Sequence, residues 1–145
     1  MREGLADIPE SRDLSSDERA LVRWLLLHAA GDSSAYLPLV DLIRVCSRCG
    51  CGCASLNFAI GDQGWPRKGA MHVVSDQDWY VPDGGPRGIF LFDHFGILAG
   101  IDVHSLDGSL VPDRLPTIEE LEETIALREG AAQPAVAADG APPRR

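Results

Sequence analysis

The chain has 145 residues, a formal net charge of −9 at pH 7 and 24% charged residues. This length is typical of a single domain that buries a core of its own. An acidic surface repels phosphates, so we expect no nucleic-acid ligand. The longest apolar run, residues 24–27, is far shorter than the ~20 residues that a membrane-spanning helix needs. We therefore expect no membrane partner either.

The N-terminus and the basic residues predict where the protein occurs. Residues 1–14 are polar and lack the apolar region of a secretory signal, so we expect a cytoplasmic protein. Thiols stay reduced in that compartment, and the four cysteines are expected as free thiols or metal ligands. Twelve of the thirteen basic residues are arginine, which is typical of a GC-rich coding sequence and favours a bacterial source.

The predicted domain begins after a flexible lead-in, residues 1–14, which shows no periodicity. Ser15 and Glu18 form a capping-box pattern at the start of an amphipathic helix. Pro38 fits the first turn of a second, short helix over residues 38–43. The chain is thus expected to enter the domain through two helices.

Alternating apolar residues then predict a sheet. The predicted strands cover residues 45–49, 56–60, 71–75 with a continuation at 79–81, 88–93 and 97–104. Residues 93–96 form the predicted hairpin loop between the last two strands, with Gly96 placed for a left-handed conformation. On the last strand, alternation predicts one face with Ile97, Ala99, Ile101 and Val103, and the other with Leu98, Gly100, Asp102 and His104.

A second capping box, Thr117 with Glu120, begins the last predicted helix. The Ala/Pro-rich residues 130–145 are expected to be a disordered tail. Residues 15–129 are therefore predicted to form one α+β domain. Its expected architecture is a mainly antiparallel sheet of four or five strands, with the N-terminal helices and the C-terminal helix packed on one face.

All four cysteines lie within eight central positions: Cys46, Cys49, Cys51 and Cys53. If the backbone from Cys49 to Cys53 is extended, the thiols share a face but consecutive Cα atoms are ~7 Å apart, since each residue rises ~3.3 Å. Zn–S bonds of ~2.3 Å require the chain to fold inward, which Gly50 and Gly52 allow. Because Cys46 and Cys49 have half-site spacing, all four cysteines are candidate zinc ligands.

Three interpretations of this cysteine segment stay open. In the one that we favour, the thiols pack as small hydrophobes and the glycines serve a bulge or tight turn. In the second, the thiolates bind zinc, although no cysteine pair lies elsewhere and the four histidines are isolated in sequence. In the third, a cysteine has a redox or nucleophilic role, but no predicted helix follows Cys49 to lower a thiol pKa.

Three polar residues near the predicted hairpin are further candidates: Asp93, Asp102 and His104. Carboxylates and imidazoles from adjacent strands could bind a divalent ion or act as general acid and base. In the simpler interpretation, Asp93 is a turn residue and the other two lie on the solvent-facing side of the sheet.

Two segments carry a resemblance to known sequences. Residues 48–56 read Arg-Cys-Gly-Cys-Gly-Cys-Ala-Ser-Leu, and residues 115–121 read Leu-Pro-Thr-Ile-Glu-Glu-Leu after an apolar hairpin. With these segments, residues 15–127 resemble a set of uncharacterised bacterial conserved proteins with a Cys-Gly-Cys-type segment. The resemblance implies the α+β outline, and it implies no activity, catalytic residue or cofactor.

Three classes of function follow from the sequence. We favour a non-enzymatic binding or protein-interaction module with a protein partner, because the chain is small, acidic and poor in motifs. Immunity-type proteins that neutralise basic toxins are one example of that class. The alternative is a zinc protein that uses the four cysteines as thiolate ligands. A small enzyme that uses Asp102, His104 or a cysteine is the second alternative.

Overall fold

The computed structural model describes residues 7–61, 65, 71–82, 84–108 and 112–137, the last seven by their backbone alone. The elements in chain order are strand β1 (Ile8–Asp13), helix α1 (Ser16–Leu27), a 3-10 helix (Ser34–Asp41), strands β2 (Ile43–Arg48), β3 (Leu56–Ile60), β4 (Met71–Val81), β5 (Gly85–His94) and β6 (Ile97–Ser105), and helix α2 (Ile118–Ala137).

One antiparallel sheet organises the fold, with the strand order β1-β2-β3-β6-β5-β4. The α+β class and the antiparallel sheet are therefore confirmed, whereas the prediction of four or five strands is wrong, because the described residues already form six. The additional strand is β1, which lies within the segment 1–14 predicted as a flexible lead-in. Its sequence, Ile-Pro-Glu-Ser-Arg-Asp, has no apolar alternation, and it joins the sheet by pairing with β2.

The helices share one apolar core with the sheet. Helix α1 begins where the capping box predicts, since Ser15 Oγ accepts from the Glu18 amide and Glu18 Oε1 accepts from the Ser15 amide. Its buried side chains join those of the strands and Leu121 of α2 in a single cluster. Burial of this apolar area is the main force that stabilises the fold.

The placement of the other helices differs from the prediction. The second helix is a 3-10 helix that begins earlier, at Ser34, and contains Pro38 in its interior. Helix α2 continues to Ala137, so part of the predicted disordered tail, residues 130–137, is helical. Residues 138–145 of that tail lie outside the described residues. Within the described part of the chain, no helix combines the length and apolar character needed to cross a membrane.

The hairpin of β5 and β6 has a tighter loop than predicted. Phe95 (φ 55°) and Gly96 (φ 82°) both have positive φ, as a two-residue type I′ turn requires, and the expectation for Gly96 is confirmed. A register shift pairs Phe92 with Gly100 but Asp93 with Leu98, which leaves Ala99 as a bulge. The bulge breaks strict alternation. Leu98 is therefore in the core together with Ile101 and Val103, although alternation predicts that it lies on the opposite face of the sheet from them.

Candidate metal centre

The connection between β2 and β3 is folded, not extended. The Cys49 amide donates to the Ser55 carbonyl at 3.2 Å, so a backbone hydrogen bond closes residues 50–54 into a loop. The Ala54 amide donates to the Pro112 carbonyl at 3.1 Å and fixes the loop to the segment after β6. Gly52 has φ +95°, a conformation that L side chains rarely adopt. The glycine therefore provides the inward folding that compact thiolate ligation requires.

Three thiols meet in this loop, and we call them the three-cysteine site: Cys49, Cys51 and Cys53. Their Sγ atoms all lie within 4.8 Å of one another. Sulfurs around a tetrahedral zinc ion with Zn–S bonds of ~2.3 Å are about 3.8 Å apart. The Cys49 and Cys51 sulfurs are 2.8 Å apart, so binding of an ion separates this pair by about 1 Å. The group is compact enough for one ion.

Backbone amides also point at the sulfurs. The Cys51 amide donates to Cys49 Sγ and the Cys53 amide donates to Cys51 Sγ, each at 3.4 Å. Such N–H donors stabilise negative charge on sulfur. Desolvation, with hydrogen bonding to the Cys49 thiol next, nevertheless raises the pKa of the Cys51 thiol to about 11. A bound cation reverses this balance, because coordination deprotonates a thiol.

Ser55 connects the three-cysteine site to β6. Cys53 Sγ donates to Ser55 Oγ at 3.4 Å, and Ser55 Oγ donates to Asp102 Oδ1 at 2.7 Å. The Val103 amide also donates to Ser55 Oγ, at 3.0 Å. Ser55 is buried, and it is not among the candidate residues that the sequence indicates. One hydroxyl therefore separates the candidate Asp102 from the thiols.

Cys46 lies outside this group. It is half-buried on β2 and lines a cavity of about 200 Å³ together with Glu10, Ser11 and Arg44 of the β1–β2 region. Burial raises the pKa of its thiol. Cys46 lies within β2 at a bulge, where the pairing with β3 shifts between Val45 and Ser47, and its thiol is not part of the three-cysteine site. Of the four predicted ligands, the structure brings together the last three.

Asp93 has a structural environment of its own. Predicted as a turn residue, it lies at the buried end of β5 and accepts a hydrogen bond from the Tyr36 hydroxyl at 2.5 Å. Burial and this bond raise the pKa of Tyr36 to about 12. The exposed His72 Nδ1 lies 3.6 Å from the same carboxylate oxygen. Asp93 therefore connects β5 to the 3-10 helix.

His104 lies two residues after Asp102 on β6. Its ring lies 5.8 Å from that of Phe90 and packs over Gly88, where an added Cβ would come within 2.5 Å of Nε2. The Nδ1 atom is buried with no hydrogen-bond partner among the described residues. Asp102, in contrast, lines a cavity of about 180 Å³ with Ser55 and Phe90. Asp93 thus has partners of its own, whereas Asp102 and His104 both lie beside Phe90.

No protein-family model, no curated protein and no solved structure matches this chain. The resemblance to uncharacterised bacterial proteins stays a prediction. The proposed function therefore rests on the geometry of the three-cysteine site.

Proposed function

We propose that this chain is a metal-binding protein that holds one zinc ion through the thiolates of Cys49, Cys51 and Cys53. The observation that carries the proposal is the convergence of three Sγ atoms within 4.8 Å. Thiolates are soft ligands that select zinc or copper(I) over magnesium or calcium, which take oxygen ligands. Zinc is the proposed ion because the spacing of about 3.8 Å between sulfurs around tetrahedral zinc lies within the 4.8 Å that the three sulfurs span.

The exposure of the thiols favours ligation over simple packing. A cysteine that packs as a small hydrophobe lies with apolar neighbours beneath the surface. Cys49 is buried, but Cys51 is exposed and Cys53 is only half-buried. Burial therefore gives no reason for Cys51 to turn towards the other two sulfurs, whereas a shared ion does.

The raised pKa of Cys51 argues against a redox or nucleophilic role. The reactive form of cysteine is the thiolate, and reactive cysteines have a lowered pKa next to cations or helix N-termini. The pKa of Cys51 is instead raised to about 11, so this thiol is protonated at neutral pH until a cation binds.

Elemental analysis of protein purified under reducing conditions without added metal tests the proposal. We expect about one zinc per chain in the wild type and a loss of zinc in Cys51→Ser, because two thiolates bind zinc weakly. Cys46→Ser is the matched control and should keep its zinc, since Cys46 lies outside the group. Zinc far below one equivalent in the wild type, or equal losses in both variants, contradicts the proposal.

A second proposal retains the protein-interaction module. Its specific support is a cleft of about 370 Å³ between the starts of α1 and α2. Leu21 and Ile118 are apolar residues of its lining, and the carboxylates of Asp17 and Glu119 also line it. With the net charge of −9, such a cleft fits a cationic segment of a partner protein.

An NMR titration with an amphipathic Lys/Leu peptide tests this second proposal. We expect amide shifts at residues 17–21 and 115–119, and their loss in a variant that combines Asp17→Asn with Glu119→Gln. Shifts of equal size in the variant, or shifts confined to other parts of the chain, contradict it.

A further inference from the structure

We infer that the zinc ion of the three-cysteine site is exchangeable and not structural, with an open fourth coordination position that takes an exogenous thiolate. The inference rests on the proposed function and states how that site is used. Three observations lead to it: the spacing of the ligands in the chain, their relation to the apolar core, and their exposure.

All three ligands come from five consecutive residues, 49–53. The stabilisation that a cross-link gives grows with the length of chain that it closes, and structural zinc sites join ligand pairs from separate segments. Here the hydrogen bond from the Cys49 amide to the Ser55 carbonyl already closes the same loop. The ion therefore connects no parts of the fold that are otherwise apart.

The unfolded chain has the same local ligand set. A ligand stabilises a fold only as far as it binds the folded state more tightly than the unfolded state, and metals also bind cysteines of unfolded chains. Since the three thiols lie within five residues, unfolding removes the N–H···S bonds but leaves the ligands adjacent. We expect the affinities of the two states to differ little.

The apolar core does not depend on the site. The core cluster joins α1, the strands and α2, and Cys53 only packs against its edge. Cys49, although buried, lies outside that cluster. Among the described residues, the six paired strands of the sheet are stabilised by burial of this apolar core. The fold therefore forms without the ion.

Exposure rises across the three ligands. Cys49 is 1% exposed, Cys53 is half-buried and Cys51 is exposed. An ion held between them is covered on the Cys49 side and faces solvent on the Cys51 side. Closed structural sites have four protein ligands, whereas open zinc sites have three and leave the fourth position to water or substrate. The group found among the described residues has three members, as an open site does.

An exogenous thiolate is the ligand that suits this fourth position, because zinc in a thiolate site prefers further soft ligands. Its sulfur forms a Zn–S bond as bound water leaves. A second incoming thiolate then replaces a protein thiolate, first the exposed Cys51, whose sulfur takes a proton from solvent. Each Zn–S bond that breaks is matched by one that forms, and no electrons are transferred. Zinc can thus pass from the chain to an acceptor with thiolate ligands.

Zinc transfer from the loaded full-length chain to a chromophoric chelator tests the inference, with and without a small-molecule thiol. We expect complete transfer at a rate that rises with thiol concentration, in the wild type and in Cys46→Ser alike. Scanning calorimetry should give melting temperatures of the loaded and zinc-free chains within about 4 °C of each other.

The outcomes separate this inference from the proposed function. A chain that binds no zinc refutes the proposed function and the inference together. A chain that binds one zinc but releases it at a rate independent of thiol, or that melts much higher when loaded, refutes the inference alone. Such a chain would have a closed, structural zinc site.

Discussion

Gly52 provides the backbone conformation on which the three-cysteine site depends. Its φ is +95°, and an added Cβ would meet no atom within 4 Å, so a side chain adds backbone strain without a clash. Such strain is about 1–2 kcal/mol for an L residue in the left-handed region. We expect the Gly52→Ala chain to relax from this conformation when no ion is bound, so that binding has to restore it. The strain therefore acts against binding.

We predict that Gly52→Ala weakens zinc binding roughly tenfold, since about 1.4 kcal/mol corresponds to a factor of ten. A competition titration against a chelator of known affinity measures the change. Gly108→Ala is the matched control, because Gly108 also has positive φ (+81°) in open space but lies after β6. An equal loss of affinity in the two variants would show that the loop at Gly52 has no special role.

A second prediction concerns the hydrogen bond between Tyr36 and Asp93. The bond joins the 3-10 helix to a buried carboxyl group on β5. We expect Tyr36→Phe to lower the free energy of unfolding by about 1.5–3 kcal/mol, the contribution of a hydrogen bond to a charged group. Urea denaturation measures the loss. Tyr80→Phe, at a tyrosine that is 54% exposed, should have almost no effect; equal effects would contradict this role of Asp93.

Among the secondary-structure elements, the start of α2 has the clearest dependence on pH. Arg114 contacts both carboxylate oxygens of Glu120, at 2.8 and 2.7 Å, and the Thr117 amide donates to the same side chain. The Arg114 hydrogen bonds lower the pKa of Glu120 to about 2, against the opposing effect of burial. A carboxyl group with a lowered folded-state pKa stabilises the fold above its unfolded pKa of about 4.3. That contribution is lost as the pH falls towards 2.

We therefore predict that Glu120→Gln is less stable than the wild type at pH 7, and that the difference shrinks below about pH 4.3 and vanishes near pH 2. Urea denaturation at a series of pH values measures both chains. Glu119→Gln, which removes a carboxylate at the neighbouring position, is the control and should show a smaller difference at pH 7. A Glu120→Gln effect that is constant with pH contradicts the prediction.

Strand β1 is the element for which deletion is most informative. Arg44 and Asp13 form an ion pair at 2.5 Å between β2 and β1, and Arg12 binds Glu18 at the start of α1. We predict that deletion of residues 1–13 lowers the free energy of unfolding by at least about 1 kcal/mol, because β2 loses its hydrogen bonds to β1 and both ion pairs are removed.

The deleted chain should also self-associate, since the exposed edge of β2 can pair with a second copy. Urea denaturation and size-exclusion chromatography measure the two effects. A monomer with an unchanged denaturation midpoint would mean that β1 adds nothing to the sheet.

Across the whole molecule, the sequence predicts those helices and strands whose positions depend on patterns of neighbouring residues. Capping boxes mark the start of α1 and the turn before α2, and alternating apolar residues mark β3 and the β5–β6 hairpin. Strand β1 is not predicted in this way, because four of its six side chains are polar and its position depends on the free edge of β2. The bulge at Ala99 likewise depends on how β5 pairs with β6, which no local pattern encodes.

The candidate site could be predicted only in part for the same reason. Spacing alone leaves open whether Cys49, Cys51 and Cys53 are extended or folded, and the backbone at Gly52 decides between these states. Spacing also allows Cys46 as a ligand, but this residue lies within β2 and outside the three-cysteine site. Ser55 becomes relevant only through its contact with Asp102, 47 positions further along the chain.

X-ray absorption at the zinc edge of the loaded chain counts the sulfurs around the ion and therefore tests whether three cysteines bind it. We predict three sulfurs at ~2.3 Å and one oxygen or nitrogen at ~2.0–2.2 Å. Cys46→Ser should give the same spectrum as the wild type. A shell of four sulfurs that falls to three in Cys46→Ser, or a shell with no sulfur at all, would contradict it.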